Sequence, residues 1–185
     1  GVTIRPFTNI DGQKSSEIDF TDVTVAAALR LGEQGNALTA IEKVTDKAII
    51  AVSSEAVGVL ETLLQKTVEY SKTRKQFGTV IGTFQALQHR MADMFIECQL
   101  ARSIVVMAAM KLDGSAGQRE KTKAVSAAKS RVGKAIRAVS QEAVQIHGGI
   151  GVTNELDVGH YFKRATALEI MFGNTDYHVE RFASL

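Results

Sequence analysis

Two periods of apolar residues divide the chain into a short first part and a long second part. Residues 18–25 alternate between apolar and polar side chains, which is the period of a half-buried β-strand. Beyond residue 36 the apolar residues recur every three or four positions, which is the period of an amphipathic α-helix. The change near Gly32 predicts a β segment over residues 1–35 and an α-helical domain over residues 36–185.

The helical domain contains three long periodic stretches and two short ones. The predicted helices cover residues 37–71, 83–112, 118–146, 155–167 and 174–183. Short glycine-bearing loops join the long helices, and such loops place consecutive helices side by side in opposite directions. The sequence therefore predicts a mainly α fold, an antiparallel four-helix bundle with a short N-terminal β segment.

The periodic apolar residues are expected to form the core of this bundle. They include Ile41, Val44, Leu60, Met94, Phe95, Leu100, Val105 and Met107. The third helix is rich in alanine, and small side chains let helices approach closely. Its basic residues between Lys121 and Lys134 also recur at helical spacing, which predicts a solvated face.

The first 35 residues contain too little β structure to form a stable sheet alone. Residues 1–7 alternate loosely, Ile10–Gly12 is typical of a turn, and residues 18–25 are the clearest strand. Two or three such strands do not make a stable sheet. We therefore expect this segment to be the end of a larger β domain, joined to the helices by a linker over residues 32–36.

Composition narrows the class of protein. The net charge of +2 gives no strong electrostatic case for binding nucleic acid or an anionic membrane. The single cysteine, Cys98, lies in a helical pattern, which indicates a core thiol and a reducing compartment, with the cytoplasm as the default. We expect no membrane span and no signal peptide, and no residues have convincing metal-ligand spacing.

A glycine-rich stretch ends the third long helix. Gly148, Gly149 and Gly151 follow Gln145 and His147 within a few positions. Bare backbone amides at such a break can hold phosphate oxygens, and Gln145 adds further donors. The alternative interpretation is a plain helix C-cap and loop.

A second stretch, at the end of the first long helix, has matching chemistry. Arg74 suits bidentate phosphate contact, and Phe77 offers an aromatic face to a flat ring. Gln85, at the start of the next helix, is suited to the edge of a heterocycle. Together with Gln145 and the glycines, these residues suggest a dinucleotide whose pyrophosphate lies between two loops.

Several segments resemble the C-terminal part of the acyl-CoA dehydrogenases, flavoproteins that oxidise acyl thioesters. They are YSKTRKQFG at 70–78, FQALQHRMADM at 84–94, QIHGGIG at 145–151 and YFKR at 161–164. The resemblance implies that the cofactor is FAD and that residues 1–35 are the remnant of the family's middle β domain. It also implies dimers or tetramers of family subunits, an acyl-CoA substrate and electron transfer to an electron-transfer flavoprotein.

The resemblance also implies roles for individual residues. Those that match positions contacting FAD, several of them on a neighbouring subunit's FAD, are Arg74, Gln76, Phe77, Gln85, Gln145, Gly148, Gly149, Thr175 and Asp176. Asp46 matches a position that contacts the acyl-CoA, although Ile49 replaces the arginine that often follows it. Gly173 matches the glycine of the family's last motif, beside the substrate.

The chain departs from the family at the catalytic base. The family's glutamate aligns with Phe172, and the alternative base position on the first helix aligns with Ala48. Neither side chain can remove the proton α to a thioester. Glu169 and Asp176 lie about one helical turn to either side of Phe172 and are candidate substitutes, or else surface or capping carboxylates.

Two functions therefore follow from the resemblance. The chain is part of an FAD-dependent acyl-CoA dehydrogenase, or it is a catalytically silent subunit of a heteromer that completes its partner's FAD site. A helical scaffold without flavin is a third possibility, which leaves the FAD-matching residues unexplained. The sequence indicates neither the length nor the branching of the acyl chain.

Overall fold

The structure, a computed structural model, describes residues 1–185 as a β-hairpin followed by five α-helices. The strands of the first hairpin are β1 (Val2–Thr8) and β2 (Lys14–Phe20), and those of a second, minimal hairpin are β3 (Lys75–Gln76) and β4 (Thr79–Val80). The helices are α1 (Leu38–Thr73), α2 (Gln85–Asp113), α3 (Gln118–His147), α4 (Val158–Ile170) and α5 (Thr175–Ser184). Short 3-10 turns cover Ala27–Leu29, Ile81–Thr83 and Gly148–Val152.

Helix α3 is the centre of the bundle, because it packs against each of the other four helices. Its small residues Ala124, Ala128 and Ala135 are buried and allow close packing against α1 and α2. The main core also contains Leu60, Leu63 and Met94. The predicted antiparallel bundle with a short β segment is confirmed, and α5 adds a fifth, short helix across α3.

Cys98 lies in the same core and is fully buried. Burial raises the pKa of its thiol to about 12, with the nearby carboxylates Glu61 and Glu97 adding to the effect. The thiol is therefore protonated and unreactive at neutral pH, as the prediction of a core cysteine requires.

The hairpin of β1 and β2 is antiparallel, with Val2 opposite Phe20 and Thr8 opposite Lys14. Its turn falls where Ile10–Gly12 predicted one, although the strand predicted to reach residue 25 ends at Phe20. Both of its faces expose apolar side chains, among them Val2, Ile4, Phe7, Ile18 and Phe20. The expectation that this segment belongs to a larger β domain, and the boundary at residues 35 and 36, stay predictions.

One ionic cluster joins this hairpin to the bundle. Arg164 of α4 donates to Asp11 in the hairpin turn at 2.6 Å and to both oxygens of Glu55 on α1 at 2.6 and 2.8 Å. The hydrogen bond from Arg164 holds the pKa of Asp11 below its ordinary value. Arg164 therefore fixes the hairpin turn over the α1–α4 face.

Two core assignments from the sequence are wrong. Part of the apolar stripe is exposed instead of buried, at Ile41, Val44, Phe95, Leu100 and Met107. Conversely, Lys129 lies within the stretch predicted to be a solvated face and is fully buried. The local pattern shows which residues share a helix face, whereas only the packing of α5 decides which face of α3 is covered.

The expectation that no segment could span a membrane also needs correction. Helix α1 is long and apolar enough to cross a bilayer by length and composition alone, and 44% of its most apolar window is buried inside the protein. It packs against α2, α3 and α4. The core helix of a bundle passes the same test, so this finding is weak evidence for a membrane span.

Candidate functional site

One end of the bundle, which we call the hairpin end, gathers most of the residues predicted to contact FAD. Helices α1 and α3 both finish there, α2 begins there, and the β3–β4 hairpin connects α1 to α2. Tyr70 on the last turn of α1 stacks on His147, the last residue of α3, with ring centroids 4.3 Å apart. This contact fixes the two helix ends side by side.

The β3–β4 hairpin carries Arg74, Gln76 and Phe77 into solvent. Arg74 ends α1, and its carbonyl accepts a hydrogen bond from Ile81 at 2.9 Å, which closes the hairpin. Phe77 has a φ of 57° and a side chain that is 90% exposed. A bulky residue in left-handed geometry with an unburied ring is uncommon, and such positions cluster at binding sites.

The glycine turn lies at the same end of the bundle. Gln145 is exposed on the last turn of α3, and the amide of Gly148 is bonded to the carbonyls of Val144 and Gln145. Gly148 has φ 66° and ψ −148°, a conformation open only to glycine. A Cβ added to Gly148 or Gly149 would meet no atom within 4 Å, so the space beside the turn is open to a ligand.

His147 does not face that open space. Its side chain is buried against Tyr70, and its Nδ1 lies 2.7 Å from the carbonyl of Ala143. Its neighbouring glycines form the turn, while the ring itself packs inward. Gln85 is exposed at the first position of α2, at the same end of the bundle.

The side chains at the hairpin end fit the chemistry of a dinucleotide. Arg74 supplies a guanidinium for phosphate, Gln145 supplies amide donors, and the exposed ring of Phe77 offers a stacking face. The turn at Gly148 and Gly149 leaves room for close backbone approach. The roles of these residues toward FAD stay predictions.

The other predicted site residues form a second group around the start of α5. A Cβ on Gly133 of α3 would lie 2.2 Å from Oγ1 of Thr175, so this glycine is what allows α5 to begin against α3. Gly133 and Gly148 are fifteen positions apart, so the second group lies about 22 Å along the α3 axis from the glycine turn. Thr175 is buried there, whereas Asp176 is exposed.

The loop between α4 and α5, residues 171–174, carries the position expected for the catalytic base. Phe172 occupies it with a φ of 57° and a side chain that is 45% exposed. Gly173 follows with a φ of 103°, and a Cβ there would lie 2.3 Å from the Tyr177 ring. Gly173 is therefore required by the turn, which explains its presence without a substrate contact.

Glu169 is buried and already engaged by its own chain. Its Oε1 accepts hydrogen bonds from the Thr175 amide at 3.2 Å, the Thr175 hydroxyl at 2.9 Å and Nη2 of Arg137 at 2.9 Å. Burial works against the charged form, but the Thr175 bonds and the charge of Arg137 together lower the pKa of Glu169. The structure places Glu169 as a buried carboxylate that caps α5 and not as a surface group, while its role as a base stays a prediction.

Two further buried groups contact this loop and the end of α4 that precedes it. Nζ of Lys129 donates to the carbonyls of Leu168 and Glu169 at 2.9 and 2.7 Å, and burial lowers its pKa to about 8 against the opposing charge of Glu169. Nε2 of His178 lies 3.0 Å from the carbonyl of Phe172. Because that carbonyl only accepts, Nε2 carries the proton, and burial lowers the pKa of His178 to about 4.

Asp46, on α1, lies farther along the same face of α3, and its carboxylate is fully buried. Its carboxylate accepts from Oγ1 of Thr122 at 2.7 Å, Nη2 of Arg181 at 2.9 Å and Nε2 of Gln118 at 3.4 Å. The carboxylate thus ties α1 to α3 and α5. A contact between Asp46 and acyl-CoA stays a prediction, and these internal partners give it no support.

Sequence reasoning missed Tyr70, Lys129, Arg137 and His178 as residues that shape these two regions. Every fourth or third residue of α3 from Gln118 to Arg137 is polar or glycine, and this stripe is the face that α5 covers. The sequence shows this polar stripe. Its spacing is the same as that of a solvent-exposed face, so its burial cannot be predicted without knowing where α5 packs.

Comparison with protein families gives one match that spans most of the chain. Residues 38–184 match the family model described as "Acyl-CoA dehydrogenase, C-terminal domain". The acyl-CoA dehydrogenase IpdE2 of Mycolicibacterium smegmatis is 36% identical over 169 residues, covering 89% of this chain and 50% of that protein. The chain therefore spans about half the length of this relative.

Solved structures agree on the fold. Butyryl-CoA dehydrogenase from Megasphaera elsdenii superposes with a TM-score of 0.92 at 30% identity, over 100% of this chain and 48% of that one. The ChsE4-ChsE5 complex from Mycobacterium tuberculosis gives a TM-score of 0.89 at 27% identity, over 100% of this chain and 48% of that one. Both similarities extend over the hairpin and the helices alike.

Proposed function

This chain belongs to the acyl-CoA dehydrogenase family, and we propose that it serves a heteromeric acyl-CoA dehydrogenase as a subunit that completes a partner's FAD site without supplying the catalytic base. The observation that carries the proposal is that Glu169 is buried, hydrogen-bonded within its own chain and lowered in pKa. A general base must reach the substrate proton and needs a pKa near the working pH. Glu169 is buried, its Oε1 is held by Thr175 and Arg137, its pKa is lowered, and the aligned position itself holds Phe172.

The hairpin end supports the other half of the proposal. Arg74 would hold phosphate oxygens, Gln145 would donate to the same region, and Phe77 would pack on a ring of the cofactor. These side chains point to solvent and not into a pocket of this chain, which suits a ligand held mainly by a neighbouring subunit. FAD, when bound, supplies the hydride acceptor of the family's reaction.

One of the comparisons supports a heteromer. The ChsE4-ChsE5 complex pairs two differently named chains, and this chain superposes on one of its chains over its whole length. A subunit that keeps its FAD-facing residues but lacks the base needs such a sibling chain. The sibling would carry the glutamate that position 172 lacks.

A second candidate function is favoured by Asp176. Its carboxylate is exposed in the first turn of α5, four positions after Phe172. If Asp176 acts as the base, the intact protein is an acyl-CoA dehydrogenase by itself and passes electrons to an electron-transfer flavoprotein. The start of α5 is also a place where a negative charge is favoured by the helix dipole.

Co-expression tests the proposal against this alternative. The intact protein is purified alone and with a family chain that carries the glutamate, and flavin absorbance is recorded on adding acyl-CoA thioesters. We expect acyl-CoA-dependent bleaching only from the mixed complex. Equal bleaching by the intact protein alone, abolished by Asp176→Asn but not by the control Asp157→Asn, would establish the alternative.

A further inference from the structure

The loop of residues 171–174 is held from both sides by buried polar groups of its own chain. On the α4 side, Lys129 donates to the carbonyls of Leu168 and Glu169, two of the last acceptors of that helix. A lysine ammonium at a helix C-terminus satisfies carbonyls that have no intrahelical donor. The end of α4 is therefore fixed to α3.

On the α5 side, Glu169 fixes the start of the helix. Its Oε1 takes both the amide and the hydroxyl of Thr175, while Asn174 accepts from the amide of Tyr177 at 3.0 Å. A carboxylate at a helix N-terminus satisfies free amides and favours the helix dipole. One residue of α4 thus caps the next helix across the loop.

The third anchor acts within the loop itself. His178 is fully buried on α5, and its Nε2–H donates to the carbonyl of Phe172 at 3.0 Å. Phe172 keeps a left-handed backbone that a bulky residue rarely adopts, and half of its ring stays exposed. Such a conformation persists only where the surroundings over-determine it.

We propose that Lys129, Glu169 and His178 are positioning residues for residue 172, and that together they hold its side chain in one presented conformation without help from a bound ligand. The proposal rests on the proposed function only in treating position 172 as the position of the family's catalytic base. On that view the chain lacks the base but keeps the residues that would orient it. Residue 172 alone decides whether the loop is catalytic.

We call the contacts made by Lys129, Glu169 and His178 the clamp. The charges around Lys129 allow the clamp to be tested by changing the pH. The charged or titratable groups that face the cluster are Glu169 on α4, Arg137 on α3, His178 and Arg181 on α5, and Asp46 on α1. With its pKa lowered to about 8, Lys129 loses its charge as the pH rises from 7 to 9. A signal from residue 172 that titrates in this range reports on the clamp.

The experiment places a fluorine label at residue 172. The chain has eight phenylalanines, so 4-fluorophenylalanine is introduced at position 172 alone in the intact protein, and fluorine NMR is recorded without substrate. We expect one narrow resonance whose shift titrates with a midpoint near pH 8. Lys129→Met should broaden or split that resonance and remove the titration, whereas the exposed Lys134→Met on the same helix should do neither.

A second pair of variants protects the test against misfolding of Lys129→Met. Glu169→Ala removes the acceptor of Thr175 and should also broaden the resonance, while Glu169→Gln keeps an acceptor oxygen and should restore a narrow line. A resonance that is equally narrow in Lys129→Met, Glu169→Ala and Lys134→Met overturns the proposal. Since the readout needs no turnover, an inactive Phe172→Glu protein contradicts the proposed function alone.

Discussion

The ring of Tyr70 stacks on the ring of His147, with centroids 4.3 Å apart and planes inclined by 28°. The Tyr70 hydroxyl also lies 3.4 Å from the His147 carbonyl, a long hydrogen bond. Arg74 follows Tyr70 by one helical turn, and Gly148 follows His147 directly. One aromatic contact therefore sets the spacing between the two segments proposed to hold a cofactor.

Removing the Tyr70 ring should loosen this end of the bundle. We expect Tyr70→Leu to lower the free energy of unfolding by about 1–2 kcal/mol, because a stacked aromatic pair and part of its packing are lost. Tyr70→Phe keeps the ring and loses only a long hydrogen bond, so it serves as the control. Denaturant midpoints of the intact protein measure the effect, and equal midpoints for the two variants would contradict the stacking account.

A pair of glycine substitutions tests the contact between α3 and α5. Gly133→Ala would place a Cβ 2.2 Å from Thr175 Oγ1 and should lower the thermal midpoint, because the start of α5 must move. Gly58→Ala on α1 meets no atom within 4 Å and should stabilise the helix by about 0.5–1 kcal/mol. If Gly133→Ala is as stable as Gly58→Ala, α5 does not pack as described.

Acid should destabilise the fold through His178. Burial lowers its folded pKa to about 4 from an ordinary 6.5. Between pH 4 and pH 6.5 the unfolded chain therefore binds a proton that the folded chain does not bind. Stability from this group is therefore complete above pH 6.5 and falls as the pH drops toward 4, by about 3 kcal/mol in total. His178→Gln should flatten this slope in pH-dependent unfolding, whereas the exposed His89→Gln should leave it intact.

Substitutions at the hairpin end should weaken FAD retention in the intact complex. Arg74→Ala should cost roughly 1.5–3 kcal/mol of binding, the range for a charge-assisted contact, and Gln145→Ala should cost less. Lys72→Ala is the matched control, because its amine is already paired with Glu69 at 2.7 Å. Flavin released per protein on stepwise dilution gives the comparison, and equal release from all three variants would exclude this end as an FAD site.

Local pattern predicted most of the fold, because helix period and glycine breaks are properties of neighbouring residues. Each predicted helix lies within a few residues of an observed one, and Asn174 caps α5 where a helix was expected to start. The grouping of residues at the hairpin end was predictable in the same way. Arg74, Gln85 and Gly148 all lie at helix ends that meet in an antiparallel bundle.

The buried contacts of the second group, around the start of α5, could not be predicted from local sequence pattern. Lys129 and Asp46 have partners 39 and 135 positions away, Leu168 and Arg181 respectively, and no local period encodes such pairs. The same distance in sequence concealed the role of Glu169, whose acceptor geometry depends on where α5 returns to α3. Buried polar residues on a helix have the same spacing as exposed ones until their partners are known.

The measurement that tests the central claim most directly is flavin bleaching by Phe172→Glu in the intact protein, without any partner chain. The account predicts that acyl-CoA bleaches the flavin of Phe172→Glu, while the unmodified protein and Phe172→Gln do not respond, because only the carboxylate is missing from a loop that is otherwise in place. Robust acyl-CoA-dependent bleaching by the unmodified protein alone would contradict it and would assign the base to another residue of this chain.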